Sequence, residues 1–177
     1  MAAYTYDAWM EEQGLPVLRG YYVQDLRESE LEWWEPRGVK AAFMQLHGMQ
    51  GIVEARVEEI APGATTPPLK LGVEEMVYVV GGRGVATVWA GASAPKKTFE
   101  WSTRSLFLVP ANATCQLSNM DGEHPARLLH YNYLPMAMSV TSDPDAFINS
   151  PYENAKAMSS EGVEFYSEAV GELTKGE

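Results

Sequence analysis

Among 177 residues, three side chains with chemical potential stand on stretches that read as β-strands: Glu75, Cys115 and His130. Glu75 opens the run Glu75-Met-Val-Tyr-Val-Val80. With a strand's period of two, Glu75, Val77 and Val79 share one face, and Met76, Tyr78 and Val80 share the other. A carboxylate among valines is penalised by desolvation, so its pKa should rise unless a cation or hydrogen-bond donors meet it. A carboxyl raised in this way can act as a general acid or base. The competing reading leaves Glu75 without a chemical role, satisfied by Arg56, Lys70, Arg83 or water. Glu74 points the opposite way and reads as solvated or ion-paired.

Cys115 lies in Thr-Cys-Gln-Leu-Ser-Asn, residues 114–119. It shares a face with Leu117 and Asn119, opposite the polar row Thr114, Gln116 and Ser118, which puts Cys115 and Leu117 inside. A nucleophilic thiolate needs a neighbouring cation or base. The sequence places none there, so a small buried apolar side chain is the expectation. His130 sits within the apolar strand 126–133. It joins the interior if its strand face points inward, although a lone strand histidine is more often packed in a core or exposed.

The elements that must position these groups follow from the punctuation of the chain. Thr5 or Asp7 can cap a short helix through Ala8–Glu12, ended by Gly14 and Pro16. Aromatic residues crowd the first part of the chain (Tyr4, Tyr6, Trp9, Tyr21, Tyr22, Trp33, Trp34). They read as an arm wrapping the domain or a neighbouring subunit. Apolar runs 41–46 and 52–60 flank His47-Gly-Met-Gln-Gly51, a hairpin connection that leaves His47 exposed and incidental. Further strands are expected at 75–80, 85–89, 96–101, 105–119 and 126–133, separated by glycine and proline turns. After Pro135 the alternation stops, and 141–177 reads as an extension packed on the domain, with a frayed end. Many short strands at regular spacing with scarcely any helix pattern indicate an all-β jelly roll.

Two stretches carry a resemblance to a known family. Residues 62–84, PGATTPPLKLGVEEMVYVVGGRG, resemble the first motif of the cupin superfamily: Pro-Gly, a spacer, His-x-His, then Glu, then Gly six residues on. Pro62-Gly63, Glu75 and Gly82 fit that frame, but Leu69 and Leu71 stand at the histidine places. Residues 105–119 resemble the second motif through Pro110, Asn112 and Asn119, with Cys115 at the histidine place. The resemblance implies a double-stranded β-helix, the cupin jelly-roll barrel, over about residues 39–140 of a single domain. An N-terminal arm (1–38) and a C-terminal extension (141–177) complete it. It also implies a pocket built from Leu69, Leu71, Glu75, Val77, Cys115, Leu117 and His130. The arm and the end resemble the flanks of the first barrel in longer two-barrel cupins.

A transition-metal site needs several N, O or S donors converging on one point. Leucine offers none, and Glu75 with Cys115 supplies two, so no metal or other cofactor is expected. The reading is a metal-poor cupin that binds a small molecule or serves as a non-catalytic subunit pairing with another barrel. The alternatives are a dioxygenase-like metalloenzyme using Glu75, His130 and Cys115, or a metal-independent enzyme with Glu75 as acid and base. Because Met76, Tyr78 and Val80 make the outer face of their strand apolar, the arm, a second barrel or both should cover it. A homodimer or a heteromer with another cupin chain is the expectation. A net charge of −11 argues against nucleic acid or anionic membrane as a partner. The N-terminus shows no signal core and the single cysteine forbids an internal disulfide. Both point to the cytoplasm.

Overall fold

The hairpin around His47 seeds the larger of two sheets. The computed structural model of the chain describes residues 5–141, 143–154 and 165. Strands β3 (Val39–Leu46) and β4 (Glu54–Ile60) run antiparallel, with Phe43 opposite Arg56. The arm adds β1 (Val17–Gly20), parallel to the second half of β3, and β2 (Glu32–Trp34), antiparallel to its first half. On the other side of β4 follow β11 (Ala126–Asn132), β6 (Glu75–Gly81) and the edge strand β9 (Leu106–Val109). The second sheet has four strands in the order β5 (Leu69–Lys70), β10 (Thr114–Asn119), β7 (Arg83–Trp89) and β8 (Lys97–Ser102).

Two backbone positions let the chain pass between these sheets. Gly82 joins β6 in one sheet to β7 in the other at φ +99°, and a Cβ there would meet that of Ala126 at 2.7 Å, so only glycine fits. Asn112 adopts the left-handed conformation (φ 59°) between β9 and β10. Its backbone N–H donates to Leu71 O at 2.7 Å, and its side chain accepts from Ser150 Oγ at 2.7 Å. That contact, with the bridge between Leu71 and Ile148, ties the start of the C-terminal extension to the barrel. The frayed end expected further on lies outside the described residues. Asn119 is buried, and its amide donates to Ile60 O (3.2 Å) and His124 O (2.9 Å), closing the end of β10 against β4.

Helix α1 (Thr5–Glu12) begins at the first described residue, a turn earlier than its apolar pattern suggested. Its Tyr6 and Met10 are buried in the main core with Trp34 and Phe43, and Trp9 packs edge-on against both of those rings. A second short helix, α2 (Leu134–Met138), follows β11 where only loss of alternation was expected. Leu134 and Met138 are buried beneath it.

The arm covers a different surface from the one anticipated. Val23, Leu26 and Leu31 pack over Met44, Ala55, Val57 and Leu129, on the outer face of β3, β4 and β11. Arg127 secures this cover by donating to Leu26 O at 2.9 Å and Glu59 Oε2 at 3.0 Å. Beyond β11 the outer face lies open. Met76 and Tyr78 of β6 stand opposite Leu108 and Leu106 of β9, with Tyr131 of β11 beside Met76, and all five are exposed. Among the described residues no helix is long and apolar enough to cross a membrane.

Candidate functional site

Strand β4 carries charge on one face and apolar residues on the other, and the charged face points inward. Glu54, Arg56 and Glu58 are 1%, 3% and 0% exposed. This inversion is possible because Ala55 and Val57, on the opposite face, are sealed by the arm rather than by the barrel interior. Register then aligns partners across three strands. Asn132 of β11 lies between Glu54 and Glu75, and His130 lies between Arg56 and Val77.

The Arg56 guanidinium is the centre of this arrangement. Its Nε donates to Glu58 Oε1 at 2.8 Å, its Nη1 donates to Glu54 Oε1, and its Nη2 lies 2.8 Å from Glu75 Oε1. His130 Nδ1 is 3.0 Å from Glu75 Oε2, and since a carboxylate only accepts, the imidazole donates. The other ring nitrogen faces Glu58 Oε2 at 3.5 Å. Asn132 Nδ2 donates to Glu75 Oε1 at 3.2 Å and reaches Glu54 Oε1 at 3.4 Å. Arg37, buried at the end of a short 3₁₀ turn (Glu35–Arg37), donates from Nη1 to Pro67 O at 2.8 Å. Its Nε stands 3.9 Å from Glu58.

The electrostatics follow from this wiring. Burial raises the Glu75 pKa, but Arg56, then His130 and Asn132, outweigh it and hold the carboxyl well below the usual range. The same contest brings Glu58 down to about 2, with burial opposed by His130, Arg56 and Arg37. Glu54 goes the other way: burial, reinforced by the Glu75 charge, pushes it up despite Arg56. Burial pushes the Cys115 thiol up to about 12, so it is a neutral, packed side chain rather than a thiolate. The condition set for Glu75 is thus met by Arg56. Lys70 and Arg83, the other cations considered for it, make no ion pair with it.

Leu69, Leu71, Glu75, Val77, Cys115, Leu117 and His130 line one interior cavity, together with Arg37, Val73 and Val109. Its free volume is about 10 Å³, about the least that holds one water molecule. A larger chamber of about 120 Å³ lies on the other side of Arg37, Leu69 and Leu71, which line both spaces. Sequence reasoning missed Arg37, Glu54, Glu58 and Asn132 as site residues. Residues 52–60 read as an apolar strand, and the signal that could have found the cluster was the alternation Glu54-x-Arg56-x-Glu58. Ordinary patterning assigns such a row to solvent. His47 is exposed, with its ring 4.6 Å from that of Tyr21.

A metal of the kind this fold commonly holds does not suit these side chains. Two of the expected ligand positions are leucines, Cys115 holds its proton, and a dication at Glu75 would confront a guanidinium on the same carboxylate. Among the described residues no three His, Cys, Asp or Glu side chains converge into a group able to hold an ion.

No family model and no curated protein matches the sequence. Solved structures do match. An oxalate decarboxylase of Lactobacillus farciminis, in a formate complex, aligns with 63% of this chain at 20% identity and a TM-score of 0.51. The chain spans about a third of that protein, 34% of its length. The cupin domain of Schizosaccharomyces pombe Cnp3 aligns over 62% of this chain and 71% of its own, at 20% identity and TM-score 0.50. Peruvianin-I from Thevetia peruviana latex, described as a cysteine peptidase, aligns over 63% and 71%, at 11% identity and TM-score 0.53. The chain has the cupin fold, an all-β jelly-roll barrel. Proteins of such different description share it, so the barrel alone assigns no chemistry.

Proposed function

We propose that this chain is a metal-poor cupin barrel, a small-molecule-binding or non-catalytic subunit that pairs with another cupin barrel. The observation that carries the reading is Arg56, a fixed cation that satisfies Glu54, Glu58 and Glu75 from within the barrel. Where a metal cupin would gather donors around an ion, these carboxylates gather around a side chain. The open apolar face of β6 and β9 supports the pairing. Met76, Tyr78, Leu106, Leu108 and Tyr131 form one contiguous patch at a sheet edge, larger in character than the scattered apolar residues of an ordinary surface.

The enzymatic alternatives find less in the geometry. Glu75 as acid and base would have to give up its ion pair with Arg56, and the cavity it lines is too small to admit a substrate. The reading is tested by elemental analysis of untagged protein, since a histidine tag would add donors of its own. Iron, manganese or nickel at about one per chain, retained through gel filtration, would overturn it; a metal content near zero is expected.

A further inference from the structure

The open face of β6 and β9 is apolar in the middle and carries opposite charges at its two ends. Met76, Tyr78, Leu106, Leu108 and Tyr131 fill the middle and are 38–60% exposed. Among the described residues no strand lies beyond β9. Glu74, one residue before β6, is exposed and accepts from Tyr133 Oη, which lies just past β11. Arg104, two residues before β9, is also exposed, and its backbone N–H donates to Val79 O at 2.9 Å. Its guanidinium makes no ion pair among the described residues. Because β6 and β9 are antiparallel, two residues that each precede their strand fall at opposite ends of one face.

We infer that this face is the contact between two copies of the chain, stacked face to face about a two-fold axis that runs across the strands. An isologous contact sets a patch against itself. An axis across the strands reverses their direction from one copy to the other, so Arg104 of each copy comes over Glu74 of the other. An axis along the strands would gather both arginines at one end and both glutamates at the other, and like charges across an interface are costly. The end charges therefore select one orientation, and they fit a second copy because the face complements itself. The size is adequate. At these exposures the five side chains leave roughly 500 Å² open in one patch, near the upper end for a soluble monomer. With Glu74, Arg104 and Tyr133 the face approaches the roughly 800 Å² that each partner gives a stable dimer. The net charge of −11 opposes this only weakly, since charges more than about 8 Å apart are screened at physiological salt. The inference rests on the pairing in the proposed function and names the second barrel as a copy of this one.

The test is a charge exchange on the untagged full chain, followed by sedimentation equilibrium across the micromolar range at physiological salt. The parent should dimerise with a Kd of roughly 10 μM or tighter. Arg104→Glu and Glu74→Arg each set like charges at both crossings and should weaken the dimer about tenfold or more. Both positions are exposed, so both variants should keep the parent's circular dichroism and melt within about 2 °C of it. In an equimolar mixture of the two variants every crossing again joins opposite charges. That mixture should recover the parent's affinity within about threefold, and so should the double variant Arg104→Glu/Glu74→Arg. A parent that stays monomeric overturns the second copy as occupant. Single variants that dimerise as tightly as the parent overturn the orientation, as does a mixture that associates no better than either variant alone. None of these outcomes touches the metal-poor reading, which one metal per chain would overturn whatever the oligomeric state.

Discussion

Replacing Arg56 with methionine removes the barrel's central charge while keeping the length of the side chain. Three buried carboxylates lose a partner, but unequally. Glu54 is already pushed towards its protonated form, so it has the least to lose. Glu58 retains His130 at 3.5 Å and Arg37 at 3.9 Å. Glu75 retains His130 and Asn132 but loses the strongest influence holding it ionised. Breaking one side of a buried ion pair costs about 3–5 kcal/mol, most of it the cost of leaving the remaining charge uncompensated. For a domain of this size each kcal/mol moves the Tm by about 2–4 °C, so Arg56→Met should melt roughly 6–20 °C lower at neutral pH. Circular dichroism melts and urea titrations, the latter reporting whether the slope is unchanged, would measure it. The double variant Arg56→Met/Glu75→Gln removes the charge left behind. It should be more stable than the sum of the single losses predicts, by about 1–3 kcal/mol. A single variant that melts within about 2 °C of the parent would refute the reasoning, because one kcal/mol or less is the signature of a solvated pair rather than a buried one.

Acid should unfold the protein through Glu58 and Glu75. Both are held below the ordinary carboxylate pKa of about 4.3, so the unfolded chain binds more protons in that window and stability rises with pH. The contribution is complete above the ordinary value and is lost as pH falls, for Glu58 through its folded value of about 2; pH-dependent urea midpoints that stay flat below pH 4 would contradict this. Glu54 has the opposite sign. Its raised pKa gives stability that is present below the ordinary carboxylate range and lost as pH rises, so Glu54→Gln should gain on the parent between pH 4 and pH 7, and a growing deficit over that interval would show the sign to be wrong. Leu117→Ala should cost about 2–5 kcal/mol, and Leu69→Ala less, because Leu117 is fully buried and Leu69 half-buried; equal melts for both would place the partition incorrectly. Tyr78→Lys should weaken self-association or pairing with a second barrel, and sedimentation showing a 19.6 kDa monomer for parent and variant alike would assign the β6–β9 face another occupant.

The strands were legible where turns and alternation agreed. Phe99 and Trp101 of β8, Leu117 of β10 and Val77 of β6 face the interior because each alternates with a polar or exposed neighbour. The left-handed backbone at Asn112, where cupin motifs often carry glycine, suits asparagine, one of the few non-glycine residues that adopts this conformation readily. The charged cluster was not legible, for a definite reason. In Glu-Ala-Arg-Val-Glu the alternation says only that two faces differ, and hydropathy chooses the wrong one for the interior. What reverses the choice is non-local: residues 23–31 lie across the outer face, and Arg37 and His130 arrive from distant strands and turns. Glu75 shows the same limit. Its inward face follows from parity, but whether its pKa rises or falls depends on Arg56, which reaches it across β11. The surface covered by the arm could not be read either, since aromatic density announces burial without naming the surface.

An interior cation carried on the chain itself has one consequence that a bound ion never has. A metal site fills according to supply, can be stripped or mismetallated, and leaves a population of empty molecules whenever the ion is scarce. Arg56 is installed by translation, one per polypeptide, and no competitor can displace it. On the proposed metal-poor reading, the charge at the centre of the barrel therefore comes with the polypeptide and does not follow the supply of transition metals.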